Sequence, residues 1–137
     1  MEFITKTVEE TEALGEKLAK AHPAPHIFCL TGDLGAGKTA MTRGVARGYG
    51  FSGRVSSPTF TIMHMYEGEV TVHHFDLYRL EEEEELDAIG FDSFLRGGIS
   101  VIEWPDSFQS RIGACTHITI NRISDTERRF TIKEIEE

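Results

Sequence analysis

The sequence predicts an α/β domain in which helices cover both faces of a mixed central sheet, giving three layers. Apolar, strand-like runs alternate with helical patterns, beginning with a helix over 8–20, a buried strand over 27–31 and a helix over 38–49. Residues 59–66 and 69–76 instead alternate with period two around a Glu-Gly turn, which predicts an antiparallel hairpin within the sheet.

Capping and breaking residues delimit the first elements. Thr7 and Glu10 form a capping-box pattern at the start of the first helix, and the segment His22-Pro23-Ala24-Pro25 ends it. Gly48 and Gly50 end the second helix.

The C-terminal half contains shorter helices and three more strands. The glutamates at 81–85 form the negatively charged first turn of one short helix, and a second covers Asp92–Leu95. Pro105 suits the first position of a third. Strands are predicted at 99–103, 116–122 and 128–134.

A phosphate-binding loop lies between the first strand and the second helix. Residues 32–39 read GDLGAGKT, which matches G-x-x-x-x-G-K-[ST] in the context that this motif requires. Lys38 reaches the terminal phosphoryl oxygens, and the Thr39 hydroxyl is placed to ligate Mg²⁺. An ordinary glycine-rich connection is the alternative. The predicted nucleotide-binding residues are Asp33, Leu34, Gly35, Ala36, Gly37, Lys38, Thr39, Ala40 and Trp104.

Composition and length favour a single cytoplasmic domain, residues 1–137. With 14 Lys and Arg against 23 Asp and Glu, the net charge is −9, which disfavours autonomous binding to DNA or RNA. No signal peptide or membrane-spanning run is expected. Cys29 and Cys115 lack C-x-x-C spacing, so we expect reduced thiols and no disulfide.

Acidic residues end two of the predicted strands. Ligands bind at the carboxyl ends of strands in open α/β sheets, so Asp76 and Glu103 should share a cleft with Lys38 and Thr39. Asp76 holds Mg²⁺ directly or through water, or else caps the following turn. Glu103 orients or deprotonates a water molecule or joins the outer shell of the metal, or else faces solvent.

Two further positions have open interpretations. Thr59, after Ser57-Pro58, completes the Mg²⁺ shell and senses the terminal phosphate, or simply starts a strand after a loop. Trp104 packs in the core, which is the safer interpretation, or lines the nucleotide cleft.

A zinc site in the second hairpin strand is rejected. His73 and His74 lie on opposite faces of that strand, and His74 with Asp76 makes a poor site. Arg43, Arg79 and Arg96 are possible phosphate counter-charges, although a surface role is the simpler interpretation for any one of them.

Five segments together resemble the TsaE family of bacterial P-loop ATPases, which act in tRNA threonylcarbamoyladenosine synthesis. They are GDLGAGKT at 32–39, RG at 43–44, SPTF at 57–60, HFDLYRL at 74–80 and EWP at 103–105.

The resemblance implies a P-loop NTPase-like fold, with ATP and Mg²⁺ as cofactors. It also implies that Lys38, Asp76 and Glu103 are catalytic, and that Thr39, Thr59, Asp76 and Glu103 surround the metal. The implied activity is ATP hydrolysis, weak alone, within a complex with the TsaD and TsaB proteins, which supply the tRNA contacts.

One position departs from the family pattern. The family often has a second threonine after the loop, where this chain has Ala40.

Three other function classes remain open on the sequence alone. A small-molecule kinase would need an arginine-rich lid, and a GTPase-like switch would need an N-K-x-D motif; neither pattern is evident. A binding module that uses nucleotide without hydrolysing it is the remaining alternative.

Overall fold

The computed structural model describes residues 1–32, 37–56, 58 and 62–136. A seven-stranded mixed sheet runs through this part of the chain, in the order β1-β7-β6-β2-β5-β4-β3. The strands are β1 Glu2–Thr5, β2 His26–Thr31, β3 Met63–Glu67, β4 Thr71–Asp76, β5 Ile99–Glu103, β6 Cys115–Arg122 and β7 Arg128–Ile135. The helices are α1 Val8–Ala21, α2 Lys38–Gly48, α3 Glu83–Ala88, α4 Phe91–Leu95 and α5 Gln109–Ile112, with a 3₁₀ turn at Asp106–Phe108.

The centre of the sheet is parallel and its edges are antiparallel. Strand β2 pairs in parallel with both β5 and β6, and β4 pairs in parallel with β5. Strands β3 and β4 form the predicted hairpin, and β6 and β7 form a second antiparallel pair. The carboxyl ends of β2, β4 and β5 therefore lie next to one another at the same end of the sheet, which we call its carboxyl edge.

Alternate residues of β2 bury into two separate cores, which confirms the three-layer prediction. Phe28 belongs to the core beneath α1 and α2, together with Met41. Cys29 belongs to the core on the other face, together with Leu86 of α3 and Phe91 of α4. Successive strand residues point to opposite faces, so helices cover both sides of the sheet.

Helices α1 and α2 approach so closely that a side chain would not fit between them. A Cβ added to Gly44 would lie 2.1 Å from the main-chain oxygen of Glu12, and one added to Gly15 would lie 2.7 Å from that of Met41. The carboxylate of Glu12 also pairs with Arg43 and Arg47 across this contact, at 2.6 Å from each. These contacts fix the position of α2, the helix that follows the phosphate-binding motif.

The structure adds one strand to the sequence-based prediction and moves several element boundaries by one or a few residues, as at β3, which covers Met63–Glu67 where 59–66 was predicted. Strand β1 pairs antiparallel with β7 at the edge of the sheet. It has four residues, of which Thr5 alone is buried, so it is too short to show a period. Pro105 is the residue before the 3₁₀ turn rather than its first residue.

The structure also bears on two further predictions, which concern the cysteines and membrane-spanning segments. Cys29 and Cys115 are both buried free thiols, as expected. Among the helices of the described residues, none has the length and apolar character needed to cross a bilayer.

Candidate functional site

Three predicted site residues meet at the carboxyl edge of the parallel strands. Asp76 and Glu103 are register partners at the ends of β4 and β5, and Leu30 is the partner of Glu103 on β2. Neighbouring strands lie about 4.8 Å apart, so the two carboxylates share a small region of space. Lys38, the first residue of α2, enters the same region from the neighbouring loop.

The Lys38 side chain is held in a buried, polar and aromatic environment. Gly37 has φ 108°, a left-handed conformation that glycine adopts without strain, and it turns the chain into α2. The ammonium of Lys38 lies 3.7 Å from Glu103 Oε1 and 4.2 Å from the ring centroid of Trp104. Lys38 is 6% exposed. An ion pair and a cation–π contact therefore compensate for removing this charge from water.

Trp104 lies in this site and not in the core that was the safer expectation. The indole is half-buried, and it packs against Tyr78 with the ring centroids 5.0 Å apart. Its φ of 59° is in the left-handed region, which costs a bulky residue about 1–3 kcal/mol. The bend at the end of β5 presents the indole face to the Lys38 ammonium.

Glu103 connects Lys38 to a buried chain of hydrogen bonds. Its Oε2 lies 2.5 Å from Nε2 of His74, a residue with no solvent exposure. Nδ1 of His74 lies 3.0 Å from the hydroxyl of Tyr66, which donates to the main-chain oxygen of Ser56 at 2.8 Å. Glu103 is itself only 3% exposed, which rules out the alternative interpretation that it faces solvent.

The donors and acceptors along this row of hydrogen bonds, from Ser56 to Glu103, determine where its protons lie. The Ser56 oxygen only accepts, so the single proton of the Tyr66 hydroxyl points to it. Nδ1 of His74 must then be the donor to the Tyr66 oxygen. The contact between His74 Nε2 and Glu103 consequently holds one further proton, which makes this buried pair neutral overall.

The acidity of Tyr66 agrees with this assignment. Burial, together with the nearby charge of Glu103, raises the pKa of the Tyr66 phenol to about 12. The phenol therefore stays protonated at neutral pH and remains a donor.

Asp76 caps the turn that follows β4, and this leaves it able to bind a metal ion as well. Its Oδ1 accepts the main-chain N–H of Tyr78 at 3.0 Å, so it does cap the following turn. A carboxylate has a second oxygen, and Asp76 is half-buried at the same edge as Glu103. Thr39 and Ala40 lie half-buried in the first turn of α2. A hydroxyl and a carboxylate at one edge are the hard oxygen donors that suit Mg²⁺.

Five predicted site residues lie outside the residues that the structure describes. They are Asp33, Leu34, Gly35, Ala36 and Thr59.

A cavity adjoins the start of α2 on the side away from Glu103. Its volume is about 320 Å³, and it is lined by Gly37 and Ala40 together with Lys6, Thr11 and Arg128. This volume lies within the range that small-molecule ligands occupy. The cavity therefore extends the candidate site toward the N-terminal strand and the β6–β7 turn.

Sequence reasoning missed the roles of His74 and Tyr66. The alternation of β4 places His74 on the same face as Asp76, and that signal was used only to test a zinc site. Tyr66 is opposite Val72 across the hairpin, so its contact with His74 is a diagonal one that depends on strand register. Arg43, a possible phosphate counter-charge, instead pairs with Glu12.

The chain matches a family model and curated relatives over most of its length. Residues 5–130 match the model for the threonylcarbamoyl adenosine biosynthesis protein TsaE. The tRNA threonylcarbamoyladenosine biosynthesis protein TsaE of Bacillus subtilis is 36% identical over 138 residues, covering 98% of this chain and 86% of the relative. The Synechocystis protein of the same name is 40% identical over 112 residues, covering 77% of this chain and 71% of the relative.

A solved structure has the same fold. The crystal structure of Bacillus subtilis YdiB superimposes with a TM-score of 0.81 at 31% identity, covering 98% of this chain and 85% of the other. The two proteins therefore share the arrangement of the sheet and its helices over nearly the whole of this chain.

Proposed function

Because this chain belongs to the TsaE family of threonylcarbamoyl adenosine biosynthesis proteins, we propose that it is a Mg²⁺-dependent ATPase. In this proposal, ATP hydrolysis supports threonylcarbamoyl transfer to the adenosine beside the tRNA anticodon, in a cytoplasmic complex with TsaD and TsaB. The observation that carries the proposal is the buried contact between Lys38 and Glu103, 3.7 Å apart at the carboxyl edge of the sheet.

Lys38 and the start of α2 supply the phosphate-binding groups. The 11-residue helix α2 begins at Lys38, and the positive end of its dipole faces the phosphates of a nucleotide bound by the motif. Lys38 is already held in position by Glu103 and Trp104, so little side-chain entropy is lost when it binds a phosphoryl oxygen.

Thr39 and Asp76 are the proposed ligands of Mg²⁺, with Thr59 completing the shell. Their oxygen atoms are the donors that Mg²⁺ prefers. When bound, Mg²⁺ neutralises charge on the β- and γ-phosphate oxygens.

Glu103 is the proposed group that orients a water molecule and accepts its proton. A general base is most effective when its pKa is tuned near the working pH and when it is held rigidly. Lys38 and His74 bracket the carboxylate of Glu103 on both sides. Tyr66 in turn fixes the ring of His74, so this chain of side chains sets the direction in which Glu103 points.

The cavity beside Gly37 and Ala40 is the proposed site for the nucleoside. Its volume of about 320 Å³ suits a base and part of a ribose, and it opens next to the first turn of α2. Ala40 contributes a methyl group to its wall, where the family often has a threonine hydroxyl. In this proposal, backbone N–H groups therefore make the phosphate contacts at that position.

The partners would supply a catalytic arginine and the tRNA contacts. Arg43 and Arg47 of α2 are both engaged by Glu12 of α1. An arginine supplied by another protein raises phosphoryl-transfer rates by about 10³–10⁵ in related enzymes. The net charge of −9 also disfavours direct tRNA contact, which the partners would provide.

Phosphate release from ATP, measured with and without TsaD and TsaB, tests the proposal. We expect slow release alone, strong stimulation by the two partners, and equal amounts of ADP and phosphate. Formation of ADP without free phosphate would instead identify a kinase. Absence of turnover under every condition, with nucleotide still bound, would identify a binding module. A preference for GTP in competition would favour a switch protein.

A further inference from the structure

A second polar cluster lies at the opposite end of the sheet from the nucleotide site. One ligand atom from each of His22, His26 and Glu134 lies within 4.8 Å of the others. We propose that these three side chains form a binding site for a zinc-class divalent cation. The site is independent of the nucleotide, because β2 separates it from the phosphate-binding motif by about 17 Å of strand.

The fold holds the three side chains together from separate elements. His22 is the residue that ends α1, and His26 is the first residue of β2, with the rigid residues Pro23 and Pro25 between them. Strand pairing places Glu134 of β7 opposite Thr116 of β6.

The two imidazole rings are stacked and face one hydroxyl. Their centroids lie 4.2 Å apart with an interplanar angle of 25°. The Nε2 atoms of His26 and His22 lie 2.7 and 3.3 Å from Thr116 Oγ1. Both carboxylate oxygens of Glu134 contact the same hydroxyl. Two ring nitrogens and two carboxylate oxygens thus surround the Thr116 hydroxyl.

The hydrogen bonds of His22 aim its Nε2 at the carboxylate of Glu134. Nδ1 of His22 donates to the main-chain oxygen of Leu18 at 2.8 Å, because a carbonyl only accepts. In a neutral ring, the lone pair of Nε2 then faces Glu134 Oε1 at 3.3 Å, and a carboxylate also only accepts. The contact between these two atoms is favourable only with a cation between them, either a proton or a metal ion.

The geometry and the ligand types favour a metal of the zinc class. Tetrahedral zinc with ligand distances of about 2.0–2.1 Å separates its ligands by about 3.3 Å. The observed 3.3 Å between His22 Nε2 and Glu134 Oε1 equals that separation. Two imidazoles and one carboxylate are a known ligand set of zinc, whereas Mg²⁺ and Ca²⁺ prefer oxygen donors only.

The surroundings provide an outer shell and a path for entry. The bond from His22 to the Leu18 carbonyl fixes the ring orientation, as outer-shell partners of metal-bound histidines do. The Glu134 side chain is 54% exposed and that of His22 is 21% exposed, so a hydrated ion can reach the cluster. The fourth position is available to the Thr116 hydroxyl or to water. A metal here would tie the end of α1 and the start of β2 to β7.

Titration of tag-free, metal-free protein with Co²⁺, without nucleotide, tests this site directly. We expect one equivalent to bind with the intense visible absorption of tetrahedral Co²⁺, without the charge-transfer band that thiolate ligands give, and to be displaced by Zn²⁺. His26→Gln and Glu134→Gln should each weaken binding by at least about 10-fold, because loss of even an outer-shell partner costs about 10–100-fold.

His117→Gln is the matched control. His117 is next to Thr116 on β6, on the opposite face, and bonds to Thr31. The His117→Gln variant should therefore bind Co²⁺ like the wild type. The wild-type spectrum is informative even if a variant fails to fold. No binding at one equivalent, weak six-coordinate absorption, or equal weakening by His117→Gln would overturn the proposal and leave a protonated His22 paired with Glu134.

Discussion

Replacing Glu103 by glutamine and by alanine separates its catalytic role from its structural one. The hydrogen-bond pattern from Ser56 to Glu103 assigns one shared proton to the contact between Glu103 and His74, so the pair is neutral overall. A glutamine places an N–H of its amide where that proton lies and leaves its carbonyl oxygen toward Lys38. The number of hydrogen bonds and the net charge are preserved.

The expected loss in the free energy of unfolding follows from which hydrogen bonds and charges each variant keeps. Glu103→Gln exchanges charged hydrogen bonds for neutral ones, a loss of about 1 kcal/mol. Glu103→Ala leaves Lys38 and His74 buried without their partner, which costs about 3–5 kcal/mol. For a chain of this size, the unfolding midpoint should fall by about 3–4 °C for each kcal/mol. Glutamine should therefore lower Tm by about 4 °C and alanine by about 10–20 °C, measured without nucleotide.

Catalysis should respond differently from stability. Loss of a general base lowers turnover by about 10²–10⁴-fold, so phosphate release in the presence of the partners should fall by that factor in both variants. If Glu103→Gln destabilised the protein as much as Glu103→Ala, the shared proton would be refuted. If Glu103→Gln released phosphate at the wild-type rate, the proposed role of Glu103 would be refuted.

Three further predictions concern the helix contact, the acid stability and the tryptophan. Gly44→Ala should destabilise the protein by about 2 kcal/mol in thermal unfolding, because its Cβ would lie 2.1 Å from the Glu12 main-chain oxygen. Burial raises the pKa of the Glu12 carboxyl, but Arg43 and Arg47 outweigh it, so the folded pKa lies below the ordinary 4.5. The stability that this pair of contacts supplies is therefore present above about pH 4.5 and is lost as the pH falls through the folded pKa. Glu12→Gln should flatten the pH dependence of unfolding in that acidic window. Trp104, which stacks on Lys38, should change its fluorescence when MgATP draws the ammonium toward phosphate.

Each of these predictions has a control or a contradicting result. Gly97→Ala is the matched control for the helix contact, because no atom lies within 4 Å of an added Cβ there. A loss of stability in Gly44→Ala no larger than in Gly97→Ala would contradict close helix packing. Unchanged acid unfolding in Glu12→Gln would show that the contacts with Arg43 and Arg47 do not govern it. Constant Trp104 emission on MgATP saturation would contradict its place beside the nucleotide.

The central strands and their site residues could be predicted because local signals coincide there. Strand β2 is a buried apolar run followed at once by the glycine-rich motif, and Asp76 and Glu103 end strands whose patterns are clear. Strand β1 was missed because its four residues are specified by pairing with β7 and not by their own pattern.

Side-chain networks were harder to predict because they depend on strand register. His74 reaches Glu103 only through the pairing of β4 with β5. His22 and Glu134 are more than one hundred residues apart in the chain and meet only because β2, β6 and β7 are neighbours. No local period contains that information.

Calorimetric titration of MgATP into the isolated protein and into its Lys38→Ala variant tests the central claim most directly. The account predicts saturable binding at a single site in the wild type, and loss of that binding in Lys38→Ala while the variant remains folded. Absence of MgATP binding to the wild type, or equal affinity in Lys38→Ala, would contradict it.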